Sequence, residues 1–67
     1  MRNRFKDLRE DRDLKQKEVA IYLNISQQQY SLYETGVREI PIKLAIKLAK
    51  YYNVSLDYIF YLVDKKN

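Results

Sequence analysis

The chain has 67 residues, enough for one small core that buries roughly 60% of the surface its unfolded chain exposes. With 46% hydrophobic and 33% charged residues its composition is globular, and the absence of cysteine excludes a disulfide framework and a thiolate metal site. A net charge of +4, from 13 basic and 9 acidic residues, permits nucleic-acid binding without demanding it.

A single glycine and a single proline argue for helices joined by short turns and against a many-turned β sandwich. No apolar run approaches a membrane span or a signal-peptide core, so a cytoplasmic location without a membrane partner is expected. One domain spanning residues 1–67 is expected.

The first helix is expected from Arg4 to Arg12, with Phe5 and Leu8 inward and Leu14 anchoring the exit. Seven of the 13 basic residues lie in the first seventeen positions, but Asp7, Glu10, Asp11 and Asp13 dilute them. Most of these charges therefore read as a solvated surface. Lys15 starts a second helix in which Val19, Ala20 and Leu23 share one face by their spacing of three and four. Asn24 falls where the chain must turn sharply, and Asn tolerates positive φ. Ser26 suits an N-cap for a third helix, and Ile25, Tyr30 and Tyr33 continue the apolar set. The turn is too short for antiparallel packing, so the two helices should cross steeply. The outward face of the third helix then carries Gln27, Gln28, Ser31 and Leu32. Tyr30 and Tyr33 read as core aromatics with their hydroxyls at the edge.

Thr35 to Ile40 reads as a loop, with Gly36 in a left-handed cap. Pro41 opens a fourth helix to Tyr52, being well suited to a first turn. Its expected inward face is Ile42, Ala45, Leu48, Ala49 and Tyr52, and Lys43, Lys47 and Lys50 form a solvated stripe. Asn53 is the expected C-cap, Ser55 the next N-cap, and Leu56 to Leu62 a fifth helix. Val54, Leu56 and Ile59 complete the core, and Lys65, Lys66 and Asn67 form a frayed tail. Leu44, Tyr51, Tyr58, Phe60, Tyr61 and Leu62 exceed what one small core can absorb, and contiguous exposed apolar surface marks an interface.

The second and third helices read together as a helix-turn-helix. The residues Leu8-Arg9-Glu10, Leu14, Gln16, Glu18-Val19-Ala20, Leu23, Ile25-Ser26, Tyr30-Ser31, Glu34, Gly36 and Val54-Ser55-Leu56-Asp57 carry a resemblance. It is to the Cro/repressor-type (xenobiotic-response-element-type) helix-turn-helix DNA-binding domains of phages and bacteria, and it covers Arg4 to Phe60. The resemblance implies an all-α, five-helix, lambda-repressor-like fold with the helix-turn-helix at helices 2 and 3. It also implies that Arg9 pairs with Glu34, and that Gln16 reaches phosphate while bracing the recognition helix. Without the resemblance, the first two are independent surface charges and the third an ordinary polar residue.

Three departures from the family pattern stand out. Asp13 replaces the usual Gly, Lys15 replaces a capping Ser, Thr or Asn, and Arg38 is the only basic residue in the loop before the fourth helix. A cation at Lys15, beside a positive helix end, is locally unfavourable and would be relieved by a bound phosphate. Phosphate contacts are thus expected from Lys15, Gln16, Thr35 and Arg38.

Base contacts are expected from Gln27, Gln28, Ser31 and Leu32, since Gln can bond adenine N6 and N7 and Leu can meet a thymine methyl. A glutamine run on an exposed helix is common; its place in the motif gives it weight. One recognition helix reads too few base pairs to select an operator, so a homodimer on palindromic duplex DNA is expected, one that need form only on that DNA. Its interface is expected at Leu44, Tyr51, Tyr58, Tyr61 and Leu62. The expected function is transcriptional repression by operator occupancy. The alternative is an antitoxin or protein-interaction module with weak DNA binding. No cofactor, metal or small-molecule ligand is expected. Enzymatic chemistry is disfavoured by the lack of His, Cys, a Gly-rich phosphate loop and an evident carboxylate pair.

Overall fold

Four of the chain's reversals use one backbone device, and it sets the lengths of the helices. The computed structural model describes residues 2–62. It contains α1 (Phe5–Asp11), α2 (Gln16–Leu23), α3 (Gln27–Thr35), α4 (Ile42–Tyr52) and α5 (Leu56–Ile59), with no strand among the described residues. After α1, α2, α4 and α5 one residue turns left-handed: Asp13 (φ 54°), Asn24 (φ 59°), Asn53 (φ 56°) and Tyr61 (φ 64°). In each case the next amide donates to the carbonyl five residues back. These bonds are Leu14 to Arg9 (3.1 Å), Ile25 to Ala20 (3.0 Å), Val54 to Ala49 (3.0 Å) and Leu62 to Asp57 (2.8 Å). This is the Schellman closure, which satisfies carbonyls that a helix end leaves orphaned. Asp and Asn reach the left-handed region more readily than other non-glycine residues, so three of the four follow from residue type. Gly36 (φ 82°) ends α3.

Tyr61 is the exception, a bulky side chain where Gly is usual. It ends the fifth helix at Ile59, three residues before the expected Leu62. Its ring is covered by two guanidinium groups, Arg4 at 3.9 Å and Arg2 at 4.5 Å from the centroid. Such contacts are worth about 0.5–1 kcal/mol each at exposed sites, comparable with the cost of the left-handed backbone. The expected tail, residues 65–67, lies outside the described residues.

The N-termini are closed by side chains where the sequence permits it. Ser26 Oγ accepts from the Gln29 amide at 3.1 Å, and Ser55 Oγ from the Tyr58 amide at 3.0 Å. Lys15 has no acceptor to offer, yet α2 is half capped: Glu18 Oε1 accepts from the Lys15 amide at 3.1 Å. The Lys15-x-x-Glu18 spacing is that of a capping box, of which only the Glu18 half can form without a Ser or Thr at the first position.

Phe5, Leu8, Val19, Ala20, Leu23, Tyr30, Leu48, Tyr52, Val54 and Ile59 form one buried cluster, with Ala45 and Tyr33 buried beside it. Leu14, Ile25, Leu44, Ala49, Leu56, Tyr58 and Phe60 pack against it half-buried. The core therefore absorbs Leu44, Tyr58 and Phe60, counted above as surplus. Ile42 is a correction in the other direction. Expected inward, it is 61% exposed, because it occupies the first turn of α4 directly after Pro41, with Leu44 and Ala45 the first residues of that helix to reach the core. Thr35 closes α3 rather than opening the loop. No helix among the described residues is long and apolar enough to cross a membrane.

Candidate nucleic-acid interface

The third helix is fixed at both ends, which leaves its outer face rigidly presented. At its start Ser26 is the cap. Near its end Glu34 carries a side chain only 2% exposed, and side chains from two other helices converge on that carboxylate. Arg9 of α1 donates from Nε to Oε1 and Oε2 (3.1 and 3.3 Å), and its Nη2 stands 3.0 Å from Oε1. Gln16, the first residue of α2, donates from Nε2 to Oε2 at 2.8 Å. Arg9 also donates from Nη1 to the Leu14 carbonyl at 2.8 Å, which ties in the turn after α1. Burial alone would lower the Arg9 pKa, but the hydrogen bond and charge of Glu34 outweigh it and hold the guanidinium above its ordinary range. Among the described residues this is the only ion pair, and a carboxylate so buried needs that saturation.

Beneath this network lie two buried phenols. The Tyr30 and Tyr52 hydroxyls have no partner meeting hydrogen-bond geometry. Tyr30 feels the charge of the nearby Glu34 carboxylate. Burial, reinforced by Glu34, pushes the Tyr30 hydroxyl far above the usual phenol range. Burial, then Tyr51 and Glu34, pushes Tyr52 up to about 12. The expectation that the Tyr30 hydroxyl sits at an edge is thus corrected: the ring points straight into the core. Tyr33 does have a partner, since Gln29 Nε2 donates to its hydroxyl at 2.8 Å. Asn3 Nδ2 donates to the Tyr33 carbonyl at 3.0 Å. These two bonds are side-chain pairings that the sequence did not reveal.

Above the network, Gln16, Gln27, Gln28 and Ser31 line one open cleft. Gln27 and Gln28 are exposed, and Ser31 and Leu32 are half-buried on the same outer side of α3. Gln16 spends one amide proton on Glu34 and keeps another, so one residue can both brace α3 and face the cleft. Lys15 is exposed beside it. Thr35 is exposed, but its hydroxyl donates to Ser31 O (2.9 Å) and Leu32 O (3.3 Å), so a phosphate contact requires it to turn. Arg38 is exposed and lies elsewhere, around a shallow hollow with Asn3, Tyr33, Ile40 and Phe60. Among the described residues no group of Asp, Glu, His or Cys could hold a metal ion.

The residues expected at a dimer interface have different neighbours. Tyr51 stacks on Tyr22 of α2, with centroids 4.2 Å apart. Tyr58 and Tyr61 lie under Arg4, at 4.3 and 3.9 Å. Leu44 is half-buried and Leu62 exposed. The N-terminal arginines also have structural duties. Arg4 Nε donates to Tyr58 O at 2.8 Å, and Arg12 Nη2 donates to Tyr52 O, the last residue of α4, also at 2.8 Å. Cations placed on terminal helix carbonyls are favoured by the helix dipole.

Two helices joined by a left-handed Asn, the second with both ends pinned and a polar outer face, define a helix-turn-helix domain. A helix-turn-helix family model matches residues 5–59, and the chain belongs to this family, in its XRE-type branch. It is 37% identical over 54 residues to a cryptic phage CTXphi transcriptional repressor, RstR, of Vibrio cholerae, covering 81% of this chain and 49% of that protein. It is 39% identical over 66 residues to the HTH-type transcriptional regulator ImmR of Bacillus subtilis, covering 96% of this chain and 52% of that protein. An uncharacterized HTH-type transcriptional regulator of Methanocaldococcus jannaschii is 34% identical over 64 residues, with 96% and 97% covered. The chain thus spans about half the length of the first two relatives and nearly all of the third.

Proposed function

We propose that the chain binds double-stranded DNA sequence-specifically and represses transcription by occupying an operator as a homodimer. The observation that carries the reading is the pinned third helix. Ser26 and the Arg9–Glu34–Gln16 network hold it, while Gln27 and Gln28 stand exposed over a cleft shared with Gln16 and Ser31. Preorganised donors and acceptors on a rigid helix suit major-groove readout, where each good bidentate pair is worth about 1–3 kcal/mol of discrimination. In this reading Gln27, Gln28, Ser31 and Leu32 meet base edges, while Lys15, Gln16, Thr35 and Arg38 meet phosphates. The relatives named as a repressor and as regulators support it.

A two-fold dimer would place recognition helices about 34–36 Å apart on a palindrome. Leu44, Tyr51, Tyr58, Tyr61 and Leu62 remain the proposed interface, with Leu62 the most exposed of them. Selection of bound duplexes from a random pool tests both parts. Recovery of a palindrome with half-sites one turn apart supports a dimer. A single half-site removes the dimer, and no enrichment removes DNA binding. For the interface itself, Tyr58→Asp with Tyr61→Asp should abolish cooperative binding to the full site in a folded protein. Retained cooperativity would place the interface elsewhere.

A further inference from the structure

Away from the glutamine cleft, α2 and α4 together expose an aromatic pair of which the DNA-binding reading uses only Tyr51, in its dimer interface. Tyr22 and Tyr51 are 40% and 37% exposed, yet they are rigid. Their rings stack at 4.2 Å and 30°, Tyr51 packs edge-on against buried Tyr52 at 5.1 Å, and the Tyr22 hydroxyl donates to the Lys47 carbonyl at 3.3 Å. Next to Tyr22 in the chain, Ile21 is 68% exposed. Neither tyrosine lines the cleft of Gln16, Gln27, Gln28 and Ser31. Ordered, amphipathic rings that lose little entropy on contact are favoured anchors at protein interfaces.

Charge indicates the occupant. Lys17 sits four residues before Ile21, Lys47 four before Tyr51, and Lys50 three after Lys47, spacings that make neighbours on a helix surface. All three lysines are exposed, and none makes an ion pair among the described residues. The one acid on this side of α2, Glu18, is engaged with the Lys15 amide. A two-fold contact centred on this face would set lysines against lysines, so a second copy of the chain, whose proposed interface shares only Tyr51 with it, is the poorer occupant.

We propose that the Tyr22–Tyr51 face docks an acidic segment of another protein. Its bulky apolar side chains would pack on Ile21 and the tyrosine pair, and its carboxylates would meet Lys17, Lys47 and Lys50. Docking here leaves Gln27 and Gln28 free but covers Tyr51 of the dimer interface proposed above, so such a partner competes with the second copy and not with the bases.

The test is an NMR titration of the full chain, isotope-labelled, with a synthetic peptide alternating Asp with Leu and Phe. Two controls are a peptide with Lys in place of Asp and an oligothymidine strand. Saturable shifts centred on Ile21, Tyr22, Lys47, Lys50 and Tyr51, weakened by salt, support the site. Tyr51→Ala should weaken binding by about tenfold, as expected for one aromatic anchor. Lys47→Glu with Lys50→Glu leaves the core untouched and should do the same, so a misfolded Tyr51 variant does not decide the matter. Equal binding of the Lys peptide, shifts elsewhere, unaltered binding by the double Lys variant, or preferential oligothymidine binding overturns it. Binding of a half-site duplex, which needs no dimer, is measured separately on the wild type, and its absence would count against the DNA reading alone while leaving the peptide result standing.

Discussion

Arg9→Met should be among the most damaging single changes in this molecule. It removes every cation from a carboxylate whose side chain is 2% exposed, leaving one hydrogen bond from Gln16, and it frees the Leu14 carbonyl. Breaking a buried pair from one side costs about 3–5 kcal/mol. A chain of this size has about 3–10 kcal/mol of total stability, so the variant stands near the edge of folding. Glu34→Gln keeps the shape, and it strands an arginine that is 13% exposed and so better hydrated. Its cost should be smaller, about 1–3 kcal/mol. The double variant removes the uncompensated charge, so it should recover part of the loss, with a coupling of about 1–3 kcal/mol. Urea unfolding of the four proteins, followed by circular dichroism at one pH and salt concentration, gives the cycle directly. A coupling below about 0.5 kcal/mol at constant m-value would refute the view that this pair ties α1 to α3.

Gln27→Ala and Gln28→Ala should each flatten base preference at one or two positions per half-site, read by selection from a random duplex pool, with thermal stability unchanged. Lys15→Ala should instead weaken all duplexes alike and make the salt slope shallower by about 0.9, the share of one phosphate. The two buried phenols should contribute no pH dependence below about 10, the ordinary phenol value, because both stay neutral in the fold and in the unfolded chain. Above it the unfolded chain ionises first, so stability should fall by about 1.4 kcal/mol per pH unit per phenol, through about 12 for Tyr52 and beyond for Tyr30. Tyr52→Phe should blunt that alkaline fall and raise the melting temperature at pH 7, since a partnerless buried hydroxyl is removed. Asp13→Gly should stabilise by roughly 1 kcal/mol in thermal melts, as it relieves a left-handed non-glycine backbone.

Elements governed by local chemistry were legible in the sequence. Ser26 and Ser55 cap helices, and Asn24, Asn53, Asp13 and Gly36 turn left-handed, because these properties belong to the residue and its neighbours. Spacing alone also located the buried face of α2. What escaped depended on distant groups. Ile42 has inward spacing, but the helix begins before it reaches the core. Tyr61 stops α5 early because arginines from the other end of the chain cover its ring, which no local rule anticipates. The exposed Tyr22–Tyr51 stack joins two helices whose wheel positions, taken separately, look like ordinary surface. In the candidate site, the outer face of α3 was readable from the pattern. The engagement of Gln16 with Glu34, and of the Thr35 hydroxyl with its own helix, required coordinates.

The bond from the Arg4 amide to the Ile59 carbonyl, 2.8 Å long, closes nearly the whole chain into a ring, and Arg4 Nε repeats the connection at Tyr58. Unlike a bundle whose last helix can peel away alone, this molecule cannot lose α5 without unfastening the entrance to α1, nor the reverse. Amide protons at the two extremities should therefore exchange with solvent as one opening unit, at a common free energy, although 55 residues separate them along the backbone. Folding must bring these remote segments together before either is secure, so the last step in forming the domain should be the fastening of its two ends to each other.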